Sequence, residues 1–449
     1  MDDGSNLGRK DIGLLIRDFS LPAITGMVVN ALYNVVDSIF VGHGVGAVGL
    51  AAVTIAFPMM LAMMGFGMLV GVGATTLVSI RLGQQRLADA EKILGNAFAL
   101  GLLLAVALTS VFLLFLDRVL IVLGAEAAVL PYARDFAQII LAGSMFMFTG
   151  FGLNNVIRAE GNPQTAMVTM IISALLNTLL NPLFIFGLGL GIRGSALATV
   201  ISQAVSAVWV LAYFRGPGSR LKLRAANMRL EWPVVANIVA MGSSAFFMQL
   251  AASGVASLFN FVLLAHGGQV AVAAMGVINR VSTLMLMPLF GISQGTQPII
   301  GYNYGAGKYG RVREAVVKGS LAATAVSLVG FAVVQLFDTY IIRLFSSDVE
   351  LIELGAAGLR VFMAMLPIIG FQVMGSAFFQ AIGMPTHSLL LSMSRQLLIL
   401  IPVLLVLPRF FGLQGVWLAG PLSDAGSTAL TAVLVSIHLK RLKRADTGG

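Results

Sequence analysis

Asp37 lies within an otherwise apolar stretch of sequence, ALYNVVDSIFVG, which runs from Ala31 to Gly42. If this stretch crosses a bilayer, inserting the charge costs roughly 2.5–3.5 kcal/mol, and a residue that persists there usually faces a cavity or a partner. Because burial disfavours the ionised form of a carboxyl group, such a residue is suited to exchanging a proton. A structural alternative stays open, since Asp37 is only a few residues from Gly42 and could reach water at the end of its helix.

Amide and hydroxyl side chains accompany Asp37 in the same half of the chain. Asn30, Asn34 and Asp37 are spaced four and three residues apart, which places them on one face of a helix. Asn177 and Asn181 share a face for the same reason. The other polar residues at helix depth are Asn154, Asn155, Thr199 and Ser202. These groups could form a hydrogen-bonded pocket around the carboxyl group, or they could hold helices together, as Asn and Ser do in many membrane bundles.

The first predicted helix also contains residues that allow it to bend. Pro22 and Gly26 precede Asn30 by one to two turns, and both residue types weaken a helix. A bend coupled to protonation of Asp37 would act as a two-state switch.

Methionine is concentrated on two predicted helices, the second and the eighth. The residues are Met59, Met60, Met63, Met64 and Met68, with Met285 and Met287. Their flexible, polarizable side chains suit a cavity that accepts varied apolar ligands, although methionine at helical spacing also serves ordinary packing.

The composition identifies the environment of these residues. Of 449 residues, 58% are hydrophobic and 10% are charged, and the mean hydropathy is +0.93. Apolar runs of about 20 residues or more recur along the chain, as in polytopic helical membrane proteins. A β-barrel is disfavoured because LLLAVALTSVFLLFL (102–116) is continuously apolar. We therefore predict an all-α integral membrane protein.

Several classes of chemistry are excluded by residue type. Cysteine is absent and the four histidines lack metal-ligand spacing, so no metal site and no cofactor is expected. An aspartyl protease would need two close carboxylates, whereas Asp37 and Asp424 fall in different halves of the chain, and no nucleophile and base are paired. An intramembrane enzyme or receptor is thus disfavoured, and we predict that the protein is not an enzyme.

About twelve transmembrane helices follow from the hydropathy pattern. The predicted spans are 14–41, 46–80, 92–116, 130–157, 163–188, 193–214, 232–265, 269–304, 312–337, 352–382, 385–408 and 413–438. Threaded alternately, they collect most basic residues on one side, including 215–229 and 440–444. The positive-inside rule then places both termini in the cytoplasm of a multi-pass protein of the cytoplasmic membrane, bacterial or archaeal. The net charge of +9 therefore reflects topology rather than binding to nucleic acid.

The sequence repeats itself at an offset of 222 residues. LGQQR (82–86) corresponds to YGAGK (304–308), RAEGNPQT (158–165) to QAIGMPTH (380–387), and GLAAV (49–53) to AVAAM (271–275). Two homologous six-helix lobes follow, and parallel repeats of this kind are used by transporters for alternating access. We predict an N-terminal lobe at 1–214, a basic cytoplasmic linker at 215–231, a C-terminal lobe at 232–438 and a cytoplasmic tail at 439–449.

Six segments together resemble the multidrug and toxic compound extrusion (MATE) transporters, closest to the DinF-like branch. They are LYNVVDSIFVG, RAEGNP, NTLLNPLFIF, GSALATVISQ, GISQGTQPIIGYNYGAGK and GVWLAGPLSDAGS, and the last two are long and specific. The resemblance spans nearly the whole chain. It implies the MATE/MOP-type fold, with two lobes around a V-shaped cavity, and expulsion of a substrate in exchange for H⁺ or Na⁺.

The resemblance also implies roles for individual residues. Asp37 matches the coupling carboxylate of the N-terminal lobe, with Asn177, Asn181 and Thr199 around it, and Pro22 matches the proline where the first helix bends. The resemblance implies substrate contacts at Met27, Asn30, Asn154 and Met170, and we add Tyr33 and Asn34 as predicted contacts. Asp424, Arg280 and Arg395 fall in motifs of this branch, and structural ion pairing across the C-terminal lobe is the preferred interpretation of their role.

One departure from the family pattern bears on the coupling ion. Where related proteins have a second aspartate on the fifth helix, this chain has Asn181, and hard cations prefer anionic oxygen ligands. In the C-terminal lobe, Gln249 lies near a position where a NorM-like branch uses an acidic residue for sodium. Both differences favour H⁺, with Na⁺ as the alternative.

The sequence thus predicts an H⁺-coupled antiporter that exports amphipathic, often cationic organic compounds through Asp37. We expect a monomer in the lipid bilayer that binds small organic substrates. A flippase for lipid-linked precursors ranks lower, because it would present a larger basic cavity, and only Arg280 and Arg395 are cations at mid-helix.

Overall fold

The computed structural model describes residues 6–447, and every regular element in that range is helical. The long helices are α1 (Ile12–Gly44), α2 (Ala47–Gly83), α3 (Leu87–Leu114), α4 (Leu130–Ala142 with Ser144–Glu160), α5 (Pro163–Pro182, extended by a π-helical turn at Leu183–Gly187), α6 (Gly191–Arg215), α7 (232–267), α8 (269–305), α9 (Tyr309–Arg343), α10 (Val349–Phe362 with Leu366–Ala381), α11 (385–411) and α12 (413–447). The predicted all-α class is confirmed for the described residues.

Breaks between and within helices set the number of membrane spans. Gly268 separates α7 from α8 and Gly412 separates α11 from α12, with left-handed φ angles of 65° and 54°. α4 and α10 are each bent, by 53° and 50° respectively. Residues 6–447 contain eight helices long and apolar enough to cross a membrane, or ten when each bent pair counts as one span. Two of these, 232–305 and 385–446, are divided at Gly268 and Gly412, which gives twelve helical segments, the number predicted from the sequence.

The internal repeat is visible in the backbone. Residues with left-handed φ recur at the predicted 222-residue offset in the pairs Gly46 and Gly268, Gln85 and Gly307, and Gly161 and Gly383. Turn geometry of this kind is costly for residues with a side chain, so equivalent positions in two halves indicate equivalent turns.

Two compact units are present among the described residues. The first comprises 25–246, and the second comprises 6–24 together with 247–447. The start of α1 therefore belongs to the second unit, and the start of α7 belongs to the first. The two crossing points differ by 222 residues, the offset of the repeat. Residues 1–5 of the predicted N-terminal lobe and 448–449 of the predicted tail lie outside the described residues.

Glycine permits the first segment of α7 to pack closely on α2 within the first unit. A Cβ atom added to Gly242 would lie 1.8 Å from the carbonyl oxygen of Leu69, and one added to Gly73 would lie 2.1 Å from that of Ile238. Small residues at membrane helix contacts let backbones approach in this way.

The first segment of α1 is fixed within the second unit by comparable contacts. Asn303 Nδ2 donates to the carbonyl oxygen of Leu7 over 2.9 Å. A Cβ atom on Gly295 would lie 2.7 Å from the backbone nitrogen of Ser20. Close packing thus holds the start of α1 against α8, and the hydrogen bond to Leu7 fixes the short helix Asn6–Arg9 that precedes α1.

The basic linker is bound to the first unit by a buried carboxylate at the end of α4. Glu160 accepts hydrogen bonds from the Ser219 hydroxyl at 2.9 Å and from the backbone amides of Arg220 and Leu221, the latter at 2.9 Å. The Tyr213 hydroxyl donates to the same carboxylate over 3.1 Å. Charge-assisted bonds of this kind are stronger than neutral ones, so the linker is docked rather than loose.

A second carboxylate, on α3, holds the next part of the linker. Glu91 accepts from the backbone amide of Lys222 at 3.0 Å and pairs with Arg224 at 3.3 Å. Asn96 donates to the carbonyl oxygen of Asn227 over 3.1 Å.

Replacing Glu160 by Gln is expected to loosen the linker, because the amide retains one acceptor oxygen and loses the charge. Amide hydrogen exchange at residues 220 and 221 should accelerate roughly tenfold, since a hydrogen bond to a charged group contributes about 1.5–3 kcal/mol. Exchange measured by mass spectrometry on the purified protein tests this, with Glu126→Gln, an exposed glutamate, as the matched control. Equal exchange in both variants would show that Glu160 does not hold the linker.

Candidate functional site

The carboxyl group of Asp37 is bound by neutral donors from α5 and α6. Asn181 Nδ2 donates to Asp37 Oδ1 over 2.6 Å, and Ser195 Oγ donates to the same oxygen over 3.1 Å. Asp37 itself is half-buried, whereas Asn181 and Ser195 are fully buried. Among the described residues Asp37 has no basic partner, so its carboxylate is stabilised by hydrogen bonds from neutral donors.

A chain of hydrogen bonds continues from Asp37 into the first unit. Asn181 Nδ2 also donates to Asn177 Oδ1 over 2.8 Å, and Asn177 Nδ2 donates to Thr199 Oγ1 over 3.0 Å. The structure therefore brings together Asp37 and the three polar residues that the resemblance associates with it. Hydrogen bonds in such a chain polarise and strengthen one another.

One acceptor in this network is unused. Oδ1 of Asn181 is buried and has no hydrogen-bond partner. It belongs to the side chain that contacts Asp37. A protonated carboxyl group is a donor as well as an acceptor, so a free acceptor on the neighbouring side chain gives the network a second possible arrangement.

Ser195 was missed in the sequence prediction, although a signal for it exists. Ser195 and Thr199 are four residues apart on α6 and so share a face, as do Asn177 and Asn181 on α5. One helical turn before Thr199, on the same face of α6, the sequence has Ser195, which is the second hydrogen-bond donor to Asp37.

The other polar residues of α1 interact with each other rather than with Asp37. Asn34 Nδ2 donates to the Asn30 carbonyl oxygen over 2.7 Å and lies 3.3 Å from Asn30 Oδ1. Both side chains are exposed. They share a face with Asp37 as predicted, but no direct hydrogen bond joins either to it among the described contacts.

The remaining candidates for substrate contact occupy different environments. Met27 and Tyr33 are half-buried on α1. Met170 on α5 lies close to α1, because a Cβ atom on Gly26 would be 2.7 Å from its sulfur. Asn154 on α4 is 5% exposed, and its Oδ1 has no hydrogen-bond partner.

Pro22 lies inside an uninterrupted helix. α1 runs from Ile12 to Gly44 through Pro22. Proline removes one helical hydrogen bond and weakens the helix locally without requiring a break, so a bend of α1 at Pro22 stays a prediction.

The predicted methionine cavity is only partly compatible with the observed burial. Met59 and Met63 are each 2% exposed and pack in the hydrophobic core of the first unit, whereas Met64 is 37% exposed. Core packing therefore accounts for two of these residues, and a ligand surface remains a prediction for the exposed one.

In the second unit, Asp424 forms an ion pair with Arg395. Arg395 Nε lies 2.7 Å from Asp424 Oδ1, and the two side chains are 23% and 8% exposed. Arg395 belongs to a π-helical turn, Ser394–Ile399, and its carbonyl oxygen accepts from the hydroxyl of Ser423. Arg280 is exposed on α8 and forms no ion pair with any described residue.

Removing the Ser195 hydroxyl is expected to slow transport about tenfold. Ser195→Ala leaves Asp37 with one donor, and a hydrogen bond to a charged group contributes roughly 1.5–3 kcal/mol. Initial rates of substrate uptake into inverted vesicles measure the effect. Ser202→Ala is the matched control, because Ser202 is buried on the same helix and bonds only the carbonyl oxygen of Ala198. Equal transport rates in the two variants would show that the Ser195 hydroxyl does not contribute to the function of the site.

No group of three or more His, Cys, Asp or Glu side chains is arranged to hold a metal ion in residues 6–447. The acceptors near Asp37 are amide and hydroxyl oxygens, which are weaker ligands for hard cations than carboxylates.

Comparison with known proteins gives matches over nearly the whole chain. The family model described as MatE matches residues 22–183 and again 244–406. The multidrug export protein MepA of Staphylococcus aureus (strain NCTC 8325 / PS 47) is 28% identical over 427 residues, which cover 94% of this chain and 93% of MepA.

Two solved structures are similar in both sequence and fold. The MATE multidrug transporter DinF-BH, solved in complex with a ligand, is 42% identical, with 94% of this chain and 95% of that chain covered and a TM-score of 0.88. An outward-facing multidrug resistance MATE family transporter of the MOP superfamily is 26% identical, with 99% of each chain covered and a TM-score of 0.93.

These matches confirm the predicted family and its two-lobe fold, while the assignment to the DinF-like branch stays a prediction. The MatE model matches twice, in segments whose first residues, 22 and 244, are separated by the offset of the internal repeat. Together the two segments make up more than half of the sequence. The chain therefore belongs to the MatE family and is a multi-pass membrane transporter rather than an enzyme.

Proposed function

We propose that this transporter exports amphipathic, often cationic organic compounds across the cytoplasmic membrane in exchange for protons, with Asp37 as the coupling carboxyl group. The observation that carries the proposal is the bonding of Asp37 to two neutral donors, Asn181 and Ser195. The class of substrate is supported by two similar proteins, a multidrug export protein and a multidrug transporter whose structure contains a bound ligand.

The geometry suggests how a proton would act. In the ionised state Asp37 Oδ1 accepts from Asn181 and Ser195. A proton that arrives from outside turns the carboxyl group into a hydrogen-bond donor. It also removes the negative charge, so the bonds that Asp37 accepts from Asn181 and Ser195 become weaker. Asn181 and Asn177 would then rearrange together because they share the hydrogen-bond chain to Thr199.

The change at Asp37 would be transmitted along α1. Asp37 is on the same continuous helix as Pro22 and Gly26, where the helix is weakest. Loss of the bonds to α5 and α6 would free α1 to bend there, reduce the cavity of the N-terminal lobe and release the substrate. The protonation state of Asp37 would thus shift the equilibrium between the straight and the bent forms of α1, and exchange transport requires such a coupling.

Sodium coupling is the main alternative. A site for Na⁺ would use oxygen ligands, and Asp37 with Asn177, Asn181 and Thr199 would supply one carboxylate and three neutral side chains. The aspartate that related proteins have on the fifth helix is replaced by Asn181 here, and fewer anionic ligands lower the affinity for hard cations. A flippase for lipid-linked precursors ranks below both, since Arg395 is already paired with Asp424.

A counterflow assay in proteoliposomes separates these possibilities. The purified protein would be reconstituted with a fluorescent organic cation and exposed to a proton gradient or a sodium gradient, each alone. We expect the proton gradient to drive transport and the sodium gradient to leave it at the level of protein-free liposomes. Transport driven by sodium at constant pH would overturn proton coupling, and absence of cation transport under both gradients would overturn the substrate class.

A further inference from the structure

A pocket lies at the end of α9 and the start of α10, within the second unit and away from Asp37. Its volume is about 420 Å³, which is within the usual range for small-ligand sites. It is lined by Thr339, Arg343, Val349, Ile352, Glu353, Ala356, Ala357 and Arg360. The pocket is at the opposite end of α9 from the basic turn near Lys308, so the predicted topology places it on the outer side of the membrane.

Arg360 is fixed in this pocket by a buried acidic residue. Its Nε lies 2.6 Å from Oδ2 of Asp338, and its Nη2 contacts the same oxygen. The other oxygen of Asp338 accepts from the backbone amide of Thr339 at 2.6 Å. Asp338 is buried and both of its carboxylate oxygens accept hydrogen bonds. It therefore orients the guanidinium group of Arg360, whose N–H groups that do not face Asp338 stay available to a ligand.

Two further charges face the pocket without forming ion pairs among the described residues. Arg343 and Glu353 are both exposed and line the pocket wall. Glu353 and Arg360 are seven residues apart on α10, which places them two turns apart on one face. With Asp338 neutralised by Arg360, the pocket offers one free cation and one free anion.

Exposed apolar side chains flank the pocket-lining residues in sequence, at the end of α9 and the start of α10. The helix is kinked at Phe337, where φ is −124° and ψ is 19°. Leu336, Tyr340, Leu344 and Val349 are between 66% and 83% exposed. Tyrosine is enriched at the membrane–water interface, where its ring lies at the level of the lipid headgroups, and Tyr340 occupies such a position near the end of α9.

We propose that this pocket binds the headgroup of a zwitterionic aminophospholipid such as phosphatidylethanolamine. Arg343 and the free donors of Arg360 would hold the phosphate, because guanidinium groups match phosphate oxygens in charge and geometry. Glu353 would hold the ammonium group. The acyl chains would lie along the exposed apolar side chains of this helix end, such as Leu336 and Tyr340.

The balance of charge selects this lipid class over an anionic one. A phosphate without an ammonium group would add a negative charge near Glu353 with no ligand cation to offset it, which is unfavourable. A lipid with a fully methylated ammonium would lack the N–H donors that a carboxylate accepts. The pocket is therefore expected to prefer phosphatidylethanolamine to phosphatidylglycerol and, by a smaller margin, to phosphatidylcholine.

Native mass spectrometry of the full-length protein, delipidated in detergent and titrated with each lipid, tests the assignment. We expect phosphatidylethanolamine to bind at least tenfold more tightly than phosphatidylglycerol. Arg343→Gln should reduce binding of phosphatidylethanolamine at least tenfold, and Glu353→Gln should remove the preference over phosphatidylglycerol. Equal affinity of the unmodified protein for both lipids would overturn the proposal.

Matched controls and a soluble competitor complete the experiment. Arg409→Gln and Glu350→Gln change exposed residues of the same unit that do not line the pocket, and both should bind lipid normally. If either control lowers binding as much as its pocket counterpart, the assignment to this pocket is wrong. Glycerophosphoethanolamine, which has the headgroup without chains, should compete only at far higher concentration, and competition at equal concentration would show that the site takes soluble zwitterions instead of lipid.

Discussion

Asp37→Asn is expected to abolish proton-driven export and to leave the protein folded. Asparagine has nearly the same shape as aspartate and can still accept hydrogen bonds from Asn181 and Ser195, but it cannot take up a proton at physiological pH. Transport in proteoliposomes under a proton gradient should fall to the level of protein-free liposomes. Binding of the fluorescent cation at fixed pH should persist, because the change removes the coupling group and leaves the apolar surface of the cavity.

The control for this prediction is a second Asp→Asn change in the same unit. Asp89 forms a surface pair with Arg86, 2.6 Å apart, at the start of α3, and exposed pairs contribute about 0–1 kcal/mol. Asp89→Asn should therefore transport normally, and size-exclusion profiles and thermal unfolding should match across both variants. Proton-driven export that survives in Asp37→Asn would assign coupling to another residue.

The site around Asp37 could be predicted from sequence because helical spacing is local. Asn177 and Asn181 share a face of α5 by counting alone, and any polar group at membrane depth stands out against an apolar background. Counting could not establish that Asn34 bonds to Asn30 instead of Asp37, since several partners are within reach of one helical face. Side-chain pairing depends on rotamers and on neighbouring helices that spacing does not specify.

The membrane spans and the internal repeat could also be predicted from the sequence. Which helix segments belong to each of the two compact units could not. Hydropathy gives the length of α1 and α7 but not which half of each helix packs with which unit. That depends on backbone approach at Gly242 and Gly295, and a glycine in a sequence does not identify its partner. Likewise, the basic linker was predicted from its charge, but the carboxylates that hold it, Glu160 and Glu91, are far along the chain from the backbone amides they bind and give no local signal.

Asp424→Asn is expected to destabilise the protein by roughly 3–5 kcal/mol, the usual cost of leaving one member of a buried ion pair without its partner. Arg395 is 23% exposed and Asp424 8% exposed, so solvent compensates little for the lost charge. Unfolding by chemical denaturant in detergent micelles measures the loss. Arg395→Met alone should cost a similar amount, because it leaves the aspartate unpaired.

The double variant Arg395→Met with Asp424→Asn distinguishes a structural pair from a coupling site. If the pair is structural, removing both charges should cost less than the sum of the single changes, because no buried charge remains unpaired. Transport by the double variant should then still respond to a proton gradient through Asp37. If the double variant is as stable as the unmodified protein but has lost its response to protons, Asp424 carries coupling, and Asp37 would not be the sole coupling group. The hydrogen bond from Ser423 to the carbonyl oxygen of Arg395 favours the structural result, since it joins α12 to α11 independently of either charge.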